Sequence, residues 1–122
     1  MSIVIVKMIK TGIDIVYNKR FDKNLNDERF LERVFHASEL KLKDKGKLAG
    51  IFALKEAVMK VLGKKTDWKD IEIKYDKNGK PEIKLSDNIK PENLLGIDGS
   101  VSHDGGYTLA VIIIELKLQL LQ

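Results

Sequence analysis

Cysteine is absent from this chain. Without it there is no disulfide, no thiolate metal site and no cysteine nucleophile. A reducing setting is permitted, and the cytoplasm is the expected compartment. Aromatic residues are only 7% of the 122 residues, and proline occurs twice. Rings this sparse are not interleaved with the basic residues, so they form no stacking platform for single-stranded nucleic acid. No apolar run nears the roughly 18 residues that a bilayer-crossing helix needs. The start, Met1-Ser2-Ile3-Val4-Ile5-Val6-Lys7, lacks the basic front end and the apolar length of a secretory leader. Gly-rich phosphate loops of the dinucleotide or P-loop type are also missing, which excludes nucleotide binding by those devices. The expectation is a soluble protein with neither nucleic acid nor membrane as partner.

What is present is enough for a core. Hydrophobic residues make up 43% of the chain and charged residues 33%. That balance is globular rather than disordered. The length fits one domain over residues 1–122. Lys and Arg total 22 against 18 Asp and Glu, a formal charge of +4. Excess positive charge favours acidic partners. Its plain alternative is a lysine-rich surface.

Ile3 to Ile9 is β-branched and apolar and predicts a strand. Thr11-Gly12 predicts a break or bulge, with extended chain resuming from Ile13 to Val16. Asn26 is placed to cap a helix that starts at Asp27-Glu28 and carries Phe30 and Val34 on one face. Ser38-Glu39-Leu40 opens a second short helix, and Lys41 to Lys47 reads as a loop. Leu48 to Leu62 is Ala- and Leu-rich, lacks proline and stops at Gly63, a natural C-cap. It is the expected central helix. Trp68 to Tyr75 alternates, Asn78-Gly79 is a hairpin turn, and Pro81 to Leu85 returns. Ile97 to Ser102 and Tyr107 to Leu116 read as two more strands. Ala110 to Ile114 lacks alternation, which predicts cover on both faces. The fold class is α+β: helices packed on a mostly antiparallel sheet.

Two carboxylates stand in unlike contexts. Asp14 lies in the apolar run Gly12-Ile13-Asp14-Ile15-Val16. Ordinarily such an Asp caps a turn; an ionised carboxylate there also suits a hard cation such as Mg²⁺. Glu56 lies on the central helix. Its ordinary role is an i,i+4 pair with Lys60, worth about 0.2–0.5 kcal/mol. Lys55, Glu56 and Lys60 have so few solvent-facing positions beside them that they are expected on a narrow stripe or in a cleft. Glu56 holding a cation and Lys60 holding a phosphate oxygen would suit a metal–diphosphate complex. His103, in Ser100-Val101-Ser102-His103, is either a polar strand end, a backbone-bonded core residue or a phosphate contact. Ser102, His103 and Asp104 cannot form a catalytic triad, because neighbouring strand residues point to opposite faces. His36 receives no role.

In order, these segments resemble the holo-acyl-carrier-protein synthase family of phosphopantetheinyl transferases. Gly12-Ile13-Asp14-Ile15-Val16 is similar to its N-terminal motif. Phe30 to Phe35 with Ser38-Glu39-Leu40, then Phe52 to Gly63, resemble its helical segments. Trp68 to Ile73 with Asn78-Gly79-Lys80-Pro81 resembles its hairpin, and Ser100-Val101-Ser102-His103 its closing element. The resemblance implies transfer of 4′-phosphopantetheine from coenzyme A to a serine of apo-acyl carrier protein, with release of 3′,5′-ADP. By position it implies that Asp14 and Glu56 bind Mg²⁺, and that Asp14, Glu56, Lys60 and His103 serve catalysis. It further implies that Lys55, Lys60, Gly63, Ser102 and His103 contact coenzyme A. Arg20, Arg29 and Arg33 become the docking patch for the acidic carrier, and a homotrimer is implied. Four positions depart from the family pattern: Ile51 replaces a frequent arginine, Tyr17 a frequent acid, and Lys64-Lys65 the usual Thr-Gly. The rival reading, from another class, is a non-catalytic basic module that docks an acidic protein or nucleic acid.

Overall fold

The structure, a computed structural model, describes residues 2–121. Two long strands form its spine. β1 (Ile3–Tyr17) and β5 (Tyr107–Leu121) run antiparallel from Ile3 opposite Leu121 to Tyr17 opposite Tyr107. β4 (Leu94–Asp104) flanks β5 on its other side, giving the order β1-β5-β4. The hairpin β2 (Ile71–Tyr75) and β3 (Pro81–Leu85) forms a separate two-stranded sheet. Ile and Val at alternate positions explain the long strands, since β-branched side chains are stiff at χ1 and pack well on a pleat.

Four helices join β1 to β2: α1 (Asn18–Asn24), α2 (Glu28–Val34), α3 (Ala37–Leu40) and α4 (Lys45–Leu62). α4 is the central one. The Asp44 carboxylate caps it by accepting from Lys47 N at 3.0 Å. Gly63 ends it at φ 71°, a left-handed turn that a residue without Cβ adopts freely. Ile51, Ala53, Leu54, Ala57 and Val58 are fully buried, against Ala110, Ile112 and Ile114 of the sheet and the hairpin's Ile71 and Ile73. Each buried Ile, Leu or Val contributes about 1.5–3 kcal/mol. Phe21, Phe30, Phe35 and Phe52 close the other side, with Phe52 stacked on Trp68 at 5.1 Å.

The α+β expectation holds, as do the central helix, its Gly63 cap and the Asn78-Gly79 turn. Other expectations are corrected. Thr11-Gly12 makes no break: β1 runs straight through. Gly12 is there for a different reason, because a Cβ would run into the Ala57 carbonyl oxygen and lie 2.9 Å from Val61 N. α1 is an additional helix. The cap of α2 is Asp27 rather than Asn26, accepting from Arg29 N and Phe30 N. α4 starts inside the expected loop, at Lys45. Ala110, Ile112 and Ile114 are buried, but Ile113 is 44% exposed, so β5 is covered on one face of this chain only.

Candidate active site

The close approach at Gly12 sets the site. It presses α4 onto β1, and the next residue on the same face of β1, Asp14, comes beside the last two turns of the helix. Lys60 Nζ donates to the Ile13 carbonyl at 2.9 Å and to Asp14 Oδ1 at 3.0 Å. The Asp14 side chain is only 14% exposed. The expected Glu56–Lys60 pair is therefore replaced by an Asp14–Lys60 pair between two elements.

Glu56 sits half-buried one turn earlier. Asp14 and Glu56 line one cavity of about 240 Å³, together with Tyr17, Arg20, Phe21 and Phe52. Burial raises the Glu56 pKa above its ordinary value, and the negative charge of Asp14 raises it further; Lys65 and Lys60 pull the other way. Two carboxylates that resist sharing charge are what a hard cation relieves. A second cavity, about 400 Å³, opens on the other side of Glu56 and is lined by Met59, Lys60, Gly63, Lys64 and Lys65. The result is a trough with two acids at its centre, Arg20 at one end and three lysines at the other.

Among the described residues no group of three or more His, Cys, Asp and Glu could enclose a metal ion. Asp14 and Glu56 alone nevertheless fit Mg²⁺, which takes one or two carboxylates and keeps several waters. Such a cation would compete with Lys60 for Asp14.

The structure separates other expected residues from this trough. His103 lies across the sheet and lines another cavity, about 410 Å³, with Lys47, Tyr75, Lys80 and Ser100. That cavity shares no lining residue with the first two. His103 Nδ1 is 2.8 Å from Thr108 Oγ1, and the Thr108 hydroxyl donates to Asn18 Oδ1 at 2.7 Å. Thr108 has spent its one proton, so it accepts from Nδ1–H of His103. Thr108 is fully buried. Ser102 points from the opposite face of β4, as strand alternation demands.

Lys55 is corrected outright. Its side chain is wholly buried and bonds Val34 O at 2.7 Å and Glu39 Oε1 at 2.8 Å. It reaches neither a phosphate nor Glu56. Arg20 borders the acidic cavity, with its guanidinium 5.9 Å from the Tyr17 ring centre. Arg29 and Arg33 are exposed on α2, and Arg33 lies 6.0 Å from the Phe30 ring centre. The sequence reading missed Lys47, Lys80 and Thr108. Only the first two carried a signal, a positive charge among many. The Lys64-Lys65 departure, by contrast, sits in the trough.

Known proteins share this fold. A profile of the 4′-phosphopantetheinyl transferase superfamily matches residues 10–112. The chain belongs to the holo-acyl-carrier-protein synthase family. The Campylobacter fetus holo-acyl-carrier-protein synthase is 39% identical over 112 residues, 85% of this chain and 97% of that one. The Helicobacter pylori holo-acyl-carrier-protein synthase, solved in complex with coenzyme A, superposes with TM-score 0.79 at 37% identity over 88% of this chain and 99% of that one. A Bacillus anthracis holo-acyl-carrier-protein synthase, solved with CoA (3′,5′-ADP), gives 0.75 at 27% identity, covering 91% and 99%. Membership makes this transferase an enzyme and not a passive basic module.

Proposed function

We propose that this transferase moves 4′-phosphopantetheine from coenzyme A to a serine of an apo-acyl carrier protein, releasing 3′,5′-ADP, with Mg²⁺ held by Asp14 and Glu56. One observation carries the reading: two carboxylates share a cavity bordered by Arg20, and Glu56 also lines an adjoining cavity with Lys60, Lys64 and Lys65. A diphosphate needs both kinds of group. Bound Mg²⁺ would neutralise diphosphate charge as the phosphoryl group transfers.

This chain's residues would do the rest. Lys60 moves from Asp14 to a phosphate oxygen, and Lys64 and Lys65 hold the same anion. The carrier's serine oxygen bonds to the phosphorus that bears pantetheine, and the bond from that phosphorus to the ADP oxygen breaks. The serine proton goes to Asp14 or to water in the trough. His103, with Lys47 and Lys80, offers a second anion contact. The exposed Arg20, Arg29 and Arg33 present positive charge to an acidic carrier. A homotrimer is supported by the outer face of the sheet, where Ile13, Ile15, Leu109 and Ile113 are exposed. It is supported also by the separation of the His103 cavity from the acidic trough, which a neighbouring copy would remedy.

The test is direct. Wild-type protein, apo-carrier, coenzyme A and Mg²⁺ are mixed, and the carrier's mass is measured. A phosphopantetheine adduct that disappears with Glu56→Ala, or on chelating the metal, is the expected result. Equal adduct from wild type and Glu56→Ala removes Glu56 from the site. Undiminished transfer without divalent cation removes the metal.

A further inference from the structure

The spine of the molecule outruns its body. β4 starts at Leu94, opposite Leu116, and Asn93 satisfies both backbone groups of Lys117 at 2.9 Å. Beyond that point β1 and β5 continue as a bare ribbon, Ile3–Lys7 against Lys117–Leu121, with no third strand among the described residues. An isolated two-stranded ribbon is marginal in water. This one exposes Ile3, Ile5, Val6 and Leu120. Residues 3–9 and 113–121 lie outside the span matched by the family profile.

The side chains are not scattered. Ile3, Ile5, Ile9, Ile13 and Ile15 occupy alternate positions on one face of β1 and are between 56% and 66% exposed. They form a single stripe about 40 Å long at roughly 3.3 Å per residue. Isoleucine stands at every odd position from 3 to 15 except 7 and 11, which are Lys7 and Thr11, so the stripe runs from body to ribbon. Its one charged interruption, Lys7, is answered by Glu115 at 3.7 Å. A stripe of this length exceeds the scattered apolar residues that a monomer normally shows.

We propose that the ribbon is an arm that docks on a second copy of this chain, extending the contact made by Ile13 and Ile15. This rests on the reading that the outer face lies between copies. Continuity selects the occupant: whatever covers Ile13 and Ile15 meets Ile9 and Ile5 next on the same strand. The arm would raise the stability of the assembly, and with it the fraction of copies whose His103 cavity faces a neighbour's acidic trough.

The experiment compares Ile5→Glu/Ile9→Glu, in the arm, with Ile13→Glu/Ile15→Glu, in the body. Sedimentation across protein concentration reads assembly, and far-UV circular dichroism reads folding. Expected is a folded arm variant that dissociates at tenfold or more higher concentration than wild type, and a body variant that is monomeric. Wild-type assembly from the arm variant beside a monomeric body variant overturns the arm and keeps the interface. Wild-type assembly from both variants, or a wild type that is monomeric throughout, overturns the interface reading and the arm with it. Because the chain has no cysteine, Ile5→Cys offers a single labelling point that spares the rest of the ribbon. Benzophenone maleimide at residue 5 should cross-link one copy to another on illumination. Cross-links confined within one chain overturn the proposal, as does binding of the arm to anionic lipid vesicles without copy-to-copy cross-links.

Discussion

Lys55 and Glu39 meet at 2.8 Å with neither side chain exposed, on a helix whose next residue, Glu56, faces the acidic cavity. Glu39 also accepts from His36 N at 2.7 Å and Ile73 N at 2.8 Å, so α3, α4 and β2 converge on one carboxylate. Burial pushes the Lys55 pKa down, and Glu39 opposes the shift.

Lys55→Met leaves Glu39 buried without its counter-ion, and breaking such a pair costs about 3–5 kcal/mol. Urea unfolding should show a loss of that order. Stability within about 1 kcal/mol of wild type would mean that the pair is dispensable.

Gly12→Ala should loosen α4 from β1. The added methyl meets backbone of Ala57 and Val61, which cannot rotate away. Overpacking of this kind costs about 1–3 kcal/mol, occasionally more. Transfer activity should fall further than stability, since Asp14 and Lys60 would separate. Unchanged melting temperature and unchanged adduct rate would show that the contact relaxes freely.

These two positions show what the sequence could and could not say. The central helix was legible because its apolar width, its lack of proline and its terminal Gly63 all agree. The acidic pair was legible through segment order, which no single residue carries. Lys55 misled because a lysine on a helix looks solvent-bound until a partner from residue 39 is in place. Gly12 misled because a glycine in a strand signals a bulge as readily as a close approach. The Thr108 contact carried no sequence signal, since it joins residues 18, 103 and 108 through the sheet.

Thr108→Val keeps the shape and removes the hydroxyl between His103 and Asn18. Transfer should slow about tenfold, the equivalent of 1.4 kcal/mol, and Thr108→Ser should restore it. Nitrogen-15 spectra of His103 should show Nδ1–H losing its preference. A valine variant with wild-type rate and spectrum would leave Thr108 a packing residue.

Lys64→Ala/Lys65→Ala should raise the KM for coenzyme A about tenfold while kcat stays within twofold, because the two lysines bind phosphate before and during transfer alike. An unaltered KM would place them outside the ligand's reach.

Carrier docking should weaken with salt. The Debye length shrinks from about 10 Å at 0.1 M to about 3 Å at 1 M, and the exposed Arg29 and Arg33 act across water. Arg29→Ala/Arg33→Ala should slow association at low salt and flatten the salt dependence. A wild-type association rate indifferent to salt would end the arginine-patch idea.

The Lys60 ammonium rests between the Ile13 carbonyl and Asp14, and this gives the empty enzyme a tenant. The strand-end acid never stands bare beside Glu56, so α4 and β1 are not driven apart while the enzyme waits. Arrival of the substrate is then an exchange of partners, in which one lysine turns from an acid to an anion. How soon that lysine lets go sets an upper limit on how quickly the trough can be filled.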